Sequence, residues 1–243
     1  MSTVGSPAQV ATVHLSVRGC HRKPAFLDDR DRACLHALAT GLSRRQAVAV
    51  HAYLLMDDRI HLLASAADPG AVVRLLRHLL ACHDLAWRRR HGRPAPAWLR
   101  QARANRVDSI RQLFVLHRFL ERLPVASGLA QAPVNYRWSS ARASLGCRHD
   151  PLLTAHPAFL ALAATPAQRA LAWSAWLGRE EGGRPRRLGS CLLRERALGQ
   201  PGFALLLARW RTDAKAGTVA PAIRVAVGRA APARARTAPP SRT

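Results

Sequence analysis

The residues with the widest chemical reach in this chain of 243 residues lie on one short run, Arg59-Ile60-His61. Side chains two apart on a strand point to one face, so a guanidinium and an imidazole stand side by side there. The guanidinium stays protonated and has no lone pair; it donates to oxyanions and cannot ligate a metal. A lone strand histidine is ordinarily a surface or core residue with one hydrogen bond, and His61 is read first in that way. A second basic group, Arg88, Arg89 and Arg90, ends a helical stretch, and Arg93, Arg100, Arg103 and Arg106 follow it. Such a run is either a solvated helix end favoured by the helix dipole or a set of phosphate contacts, and Arg18 beside Gly19 is a weaker member of the second set. Trp98 lies within the basic link and is the candidate for stacking on an unpaired base, whereas Trp138 is read as core. Nucleophiles are scarce. There are two tyrosines, Tyr53 and Tyr136, and five cysteines, Cys20, Cys34, Cys82, Cys147 and Cys191, none in C-x-x-C spacing. That pattern argues against a zinc knuckle or a disulfide framework, so the thiols are read as buried and reduced.

The elements that must carry these residues can be read from periodicity. Residues 12 to 18 alternate, with Val13, Leu15 and Val17 on one face and Thr12, His14, Ser16 and Arg18 on the other, the signature of a half-buried strand. Asp28 or Asp29 then caps a helix to about Thr40. Two β-rich runs, 48 to 55 and 59 to 65, predict a hairpin reversing at Asp57 and Asp58 without the favoured glycine. Asp68 caps a long helix with Pro69 in its first turn and Gly92 as its stop. A short strand near Arg106 and Val107 precedes a helix capped by Asp108 or Ser109 and ended by Pro124. This order predicts an α+β fold, an antiparallel sheet with helices packed on it in a ferredoxin-like layer, followed by a C-terminal helical extension. The expected organisation is a flexible N-terminus over 1–9, an α+β domain over 10–150, a small helical extension over 151–213 and a disordered basic tail over 214–243.

Composition narrows the partners. Lys and Arg number 38 against 14 Asp and Glu, a formal net charge of +24, and the sequence pI is near 11.8. Biased codon usage would explain arginine over lysine but not the excess of base over acid. An anionic partner is therefore expected, nucleic acid being the commonest. The start MSTVGSPAQV has no basic-then-apolar leader and no apolar stretch has the length of a membrane span, so a cytoplasmic location without membrane contact is expected.

Four ordered blocks carry a more specific signal: HAYLLMDDRIHLL, RRRHGR, HRFLERLPVASGL and NYRWSSARASLG. They resemble the REP-associated branch of the single-tyrosine HUH transposases, in which similar blocks run HAYVLMxNHxHLL, NRRxGR, YRYIxLNPVRAGLV and DYPWSSYRAxLG. The match covers residues 10 to about 150, and PLLTAHPAFLAL is similar to the family's continuation. The resemblance implies single-stranded or hairpin repeat DNA as partner. It also implies a divalent ion, Mg or Mn, held by two strand histidines and a helix-borne ligand, and a tyrosine one helical turn before that ligand that attacks the phosphate.

On the matching positions this chain departs from the pattern. Arg59 stands for the first histidine, Phe119 for the tyrosine and Leu123 for the helix-borne ligand, leaving His61 as the residual member of a weakened metal site. The resemblance thus predicts a transposase-family DNA-binding protein, impaired or inactive in strand cleavage, with no intact catalytic set and the metal not bound. Arg59, standing where the ion's charge would be, is a candidate for direct contact with a DNA phosphate. Two alternatives stay open: an active single-strand nickase using His61, Glu121 and water or a displaced tyrosine, and an RNA-binding module.

Overall fold

The computed structural model describes residues 10–19, 24–95, 98 and 102–178. The first strand, β1 (Ala11–Arg18), leads to helix α1 (Asp29–Arg45), then to a hairpin of β2 (Ala49–Met56) and β3 (Arg59–Ala66). Helix α2 (Pro69–His91) crosses to β4 (Arg103–Val107), and α3 (Ile110–Ala126) follows. A 3₁₀ turn at Pro133–Asn135 and three helices, α4 (Ala141–Ser144), α5 (Pro157–Leu160) and α6 (Pro166–Gly178), complete the described chain. The sheet has the order β2-β3-β1-β4, antiparallel throughout. The fold is α+β, with β1-α1-β2-β3-α2-β4 in the split-βαβ arrangement.

Local chemistry sets the helix ends. The Asp28 carboxylate accepts from the amides of Arg30 and Asp31 at the start of α1, and Asp68 accepts from Gly70 N–H with Pro69 in the first turn of α2, each satisfying donors that the helix leaves free. Gly92 closes α2 in the left-handed region at φ 63°, where a side chain would be strained. Ser109, not Asp108, caps α3. Pro124 does not end that helix, which runs on to Ala126. A proline in the last turn forfeits one hydrogen bond, and the following Ser127 and Gly128 amides close the turn on Leu123 and Val125.

The two sheet faces differ in what they bury. Val13, Leu15 and Val17 of β1, Tyr53 and Leu55 of β2, and Ile60, Leu62 and Ala64 of β3 form one core with Leu35, Leu42, Val72, Leu75, Leu76 and Leu79 of α1 and α2. A register irregularity between Val50 and Ala52 puts Tyr53 with that core and Ala52 with the other. On the opposite face Ala52 and Leu63 pack under Leu113, Leu116 and Leu120 of α3. β1 is accordingly buried on both faces. The expected half-buried strand is corrected, because the polar-looking side is covered too: Thr12 lies against His156 and His14 against His61.

The open edge of β2 is sealed by later segments. Leu55 N–H donates to Trp138 O at 2.9 Å, Ser140 N–H to Tyr53 O at 3.1 Å and Thr154 N–H to Val50 O at 2.8 Å. The NYRWSS block therefore does the work of an edge cover. Residues 150–154 belong to the same packed body, since Leu152 is in the main core. Among the described residues no helix is long and apolar enough to cross a membrane. Cys34 and Cys82 are only half-buried and Cys147 is exposed, against the expectation of buried thiols; Cys147 follows Gly146 in a surface turn. Cys20 and Cys191 lie outside the described residues, as do the segments 1–9 and 179–243.

Candidate nucleic-acid interface

Strand β3 turns Ile60 into the α1–α2 core and leaves Arg59 and His61 on the α3 face. The register Ser16↔His61 and His14↔Leu63 brings His14 diagonally beside His61. Their rings are parallel within 1°, with centroids 5.5 Å apart, and His14 Nε2 lies 3.3 Å from His61 Nδ1. One of these nitrogens donates to the other, so each ring makes one hydrogen bond and its remaining nitrogen is buried without a partner. Burial pushes His14 down to about 4; burial, then His14 and Arg59, push His61 well below its ordinary value. Both rings are neutral at pH 7. The period of two places His14 on this face, but only the pairing register makes it a neighbour of His61.

The resemblance implies a divalent ion at this place, and the residues present do not fit one. Imidazole-bound ions of this kind need at least a third nitrogen or oxygen donor. Among the described residues no group of three His, Cys, Asp or Glu side chains could hold a metal. Phe119 packs its ring against the Ala52–Leu63–Leu120 cluster, and Leu123 carries no donor atom. Glu121, a residue of the alternative nickase reading, is fully buried and saturated: it accepts from His117 Nε2, Ser140 Oγ, Ser144 Oγ and Trp173 Nε1 at 3.0, 2.9, 2.6 and 2.7 Å.

Neither tyrosine is placed for nucleophilic attack on this face. Tyr53 is buried in the α1–α2 core and donates its hydroxyl to Asp150 Oδ2 at 2.8 Å; burial, then the Asp150 charge, drive its pKa far up. Tyr136 donates to Leu55 O at 2.8 Å and is pushed up to about 12, mainly by burial. Asp150 in turn accepts from His36 Nε2 at 2.8 Å and from Leu152 N–H at 3.1 Å. These are fixed structural hydrogen bonds.

The basic candidates divide into two groups. Arg90 ties the end of α2 to the start of α1 through Asp28 and Asp31, with His91 also donating to Asp31 at 3.0 Å. Arg88 pairs with Asp84 one helical turn back at 2.9 Å, and Arg106 with Asp108 at 3.1 Å. Arg89 and Arg93 are exposed beyond them, as is Arg103 at the start of β4. Arg18 and Arg59 share Asp58 at the hairpin reversal. Trp98, the expected stacking candidate, is half-buried: its ring meets Phe26 and His83 edge-on, with centroids 6.2 and 5.8 Å away, and it packs on the main core. Trp138 is half-buried and donates to Asp29 at 2.6 Å. Arg100 lies outside the described residues.

Counting partners fixes the electrostatics. All ten acids among the described residues, from Asp28 to Asp150, lie against an arginine or histidine. The uncompensated charge of this part is therefore entirely positive. This division has a measurable consequence. Arg90→Ala is expected to lower the melting temperature and leave polyanion affinity nearly unchanged, while Arg89→Ala is expected to do the reverse; thermal denaturation and fluorescence anisotropy with a labelled oligonucleotide check both.

No family model matches the chain, and no curated protein matches it. Among solved structures, the chain is similar to a REP-associated tyrosine transposase bound to a REP hairpin, at 12% identity and a TM-score of 0.47. That alignment covers 65% of this chain and 93% of the other.

Proposed function

We propose that this chain is a DNA-binding protein related to the REP-associated tyrosine transposases, which holds single-stranded or hairpin DNA through its arginine surface and has lost strand cleavage. The DNA reading rests on the four ordered sequence blocks and on the unopposed positive charge. The loss of cleavage is carried by one observation: the position matching the nucleophile is Phe119, and the only tyrosines are Tyr53, buried in the opposite core against Asp150, and Tyr136, bonded to Leu55 O. A phenyl ring cannot form the phosphotyrosine bond. A site with His61 as its sole matching ligand, its free nitrogen buried, cannot activate a phosphate through an ion.

The test is incubation of the purified full chain with a labelled hairpin oligonucleotide in magnesium or manganese. Retarded complexes with intact strands and no covalent protein–DNA adduct are expected. A metal-dependent adduct abolished by Tyr53→Phe or Tyr136→Phe would favour the nickase instead. RNA of equal length serves as competitor; displacement by RNA at lower concentration than by DNA would move the partner to RNA. Complex formation should weaken steeply with salt, because each neutralised phosphate releases counterions.

A further inference from the structure

We infer that Asp58 is a positioning residue that builds Arg18 and Arg59 into a two-guanidinium clamp for one DNA phosphodiester, an inference that rests on the DNA-binding reading above. Arg18 and Arg59 are directly opposed in the β1–β3 ladder. Like charges in that position repel, and the pairing is destabilised unless something lies between them. Asp58 supplies it. Its Oδ2 accepts from Arg18 Nε at 2.9 Å, and Arg59 donates to the same carboxylate twice, from Nε to Oδ1 at 2.8 Å and from Nη2 to Oδ2 at 3.3 Å.

The arrangement is built rather than incidental. The backbone under it is held by Gly19 N–H donating to Asp58 O at 2.7 Å and Ala25 N–H to Asp57 O at 2.6 Å, so the end of β1 is stapled to the hairpin reversal. The Asp58 carboxylate is one-fifth exposed, Arg59 30% and Arg18 44%, so the arginines reach solvent over the acid that orders them. Burial pushes the Asp58 carboxyl up, but its bonds to Arg59 and Arg18 outweigh that and hold it ionised.

The donor inventory gives the ligand class. Each guanidinium has five N–H groups, and Asp58 takes the Nε side of both. No other hydrogen bond of either head group occurs among the described residues, so the terminal Nη edges remain for an oxyanion with two free oxygens. Two arginines and one aspartate sum to a single positive charge, which matches the single negative charge of a phosphodiester. Preorganised heads lose less rotamer entropy on binding than free ones.

Charge and position predict opposite signs, which makes the inference testable. Asp58→Asn raises the net charge by one and, if Asp58 only neutralises its neighbours, hairpin DNA binds tighter. As a positioning residue its loss weakens binding, by about tenfold at fixed salt, and lowers the slope of log affinity against log salt by roughly one phosphate contact. Asp58→Glu keeps the charge and moves the carboxylate by one methylene; weaker binding is expected again, and it gives a second reading should Asp58→Asn not fold. Anisotropy titrations with a labelled hairpin oligonucleotide supply the values, with circular dichroism as the folding control. Equal or tighter binding by both variants overturns the clamp and leaves the DNA-binding reading intact. Absence of binding by the unmodified chain overturns that reading and the clamp with it.

Discussion

Glu121→Ala is expected to destabilise the protein by several kcal/mol, about 1–3 kcal/mol for each buried donor left without an acceptor. Glu121 is inaccessible to solvent and His117 nearly so. Burial alone would raise the Glu121 carboxyl, but the charge and hydrogen bond of His117, with the Ser144 and Trp173 donors, hold it below its ordinary value. The carboxylate thus gathers donors from three elements: His117 on α3, Ser140 and Ser144 at α4, and Trp173 on α6. Without it, four donors are left facing one another in the interior. Glu121→Gln is expected to be little better, because an amide offers one oxygen where the carboxylate offers two and would set its N–H₂ against a remaining donor. Trp173 reports locally, since its ring packs on His117, Phe159 and Phe114 with centroids 4.6, 5.3 and 5.9 Å away. Urea denaturation followed by tryptophan fluorescence measures the loss. A midpoint within error of the unmodified protein would show that the hub contributes nothing to stability.

Acidification is expected to be the other large perturbation. Burial pushes His51 and His83 down to about 4 in the folded state. His51 Nδ1–H donates to Thr154 O at 2.7 Å, so its Nε2 accepts from Ser65 Oγ at 2.7 Å; protonation would destroy that acceptor. The ring of His156 lies edge-on to it at 4.8 Å, and the charges of His156 and His117 oppose protonation further. His83 is enclosed by Phe26, Trp87 and Trp98; Asp31 and Asp84 favour its protonation and His91 opposes it, but burial outweighs them. The unfolded chain takes up a proton at each residue near pH 6.5, and the folded chain does so only near pH 4. Stability is therefore complete above pH 6.5 and falls as pH drops from 6.5 towards 4, by on the order of 3 kcal/mol for each histidine. Urea midpoints at pH 7.5, 6 and 5 should decline in step, and His51→Gln, which titrates nothing, should flatten part of the decline. A midpoint independent of pH over that range would refute the assignment.

Much of the framework was legible because it is written in local chemistry. Asp28, Asp68, Pro69 and Gly92 mark helix ends by hydrogen-bonding and backbone preferences that need no distant partner. Alternation over residues 12 to 18 and the two runs around Asp57 and Asp58 predicted β1 and the hairpin, and their order implied the antiparallel α+β layer. The same local reading failed where packing over the sheet decides. β1 looked amphipathic yet is buried on both faces, by α1 and α2 on one and with Thr12 and His14 against His156 and His61 on the other, and Pro124 lies within a helix whose last turn tolerates the missing donor. Its position among arginines in sequence marks Trp98 as a stacking candidate, and only the fold shows that its ring also meets Phe26 and His83.

For the site, the residue types alone determined that Arg59, Phe119 and Leu123 cannot act as ligand, nucleophile and ligand, since no fold gives a guanidinium a lone pair or a phenyl ring a hydroxyl. They also determined the excess of positive charge. Tertiary structure decided what surrounds those positions. The pairing register set His14 against His61, strand direction sent Tyr53 to the face away from His61, and the proximity of Asp28 and Asp31 spent Arg90 on a structural tie. Identity at a position is a local property, whereas contact between strands and helices far apart in sequence depends on register and packing that the chain acquires only on folding.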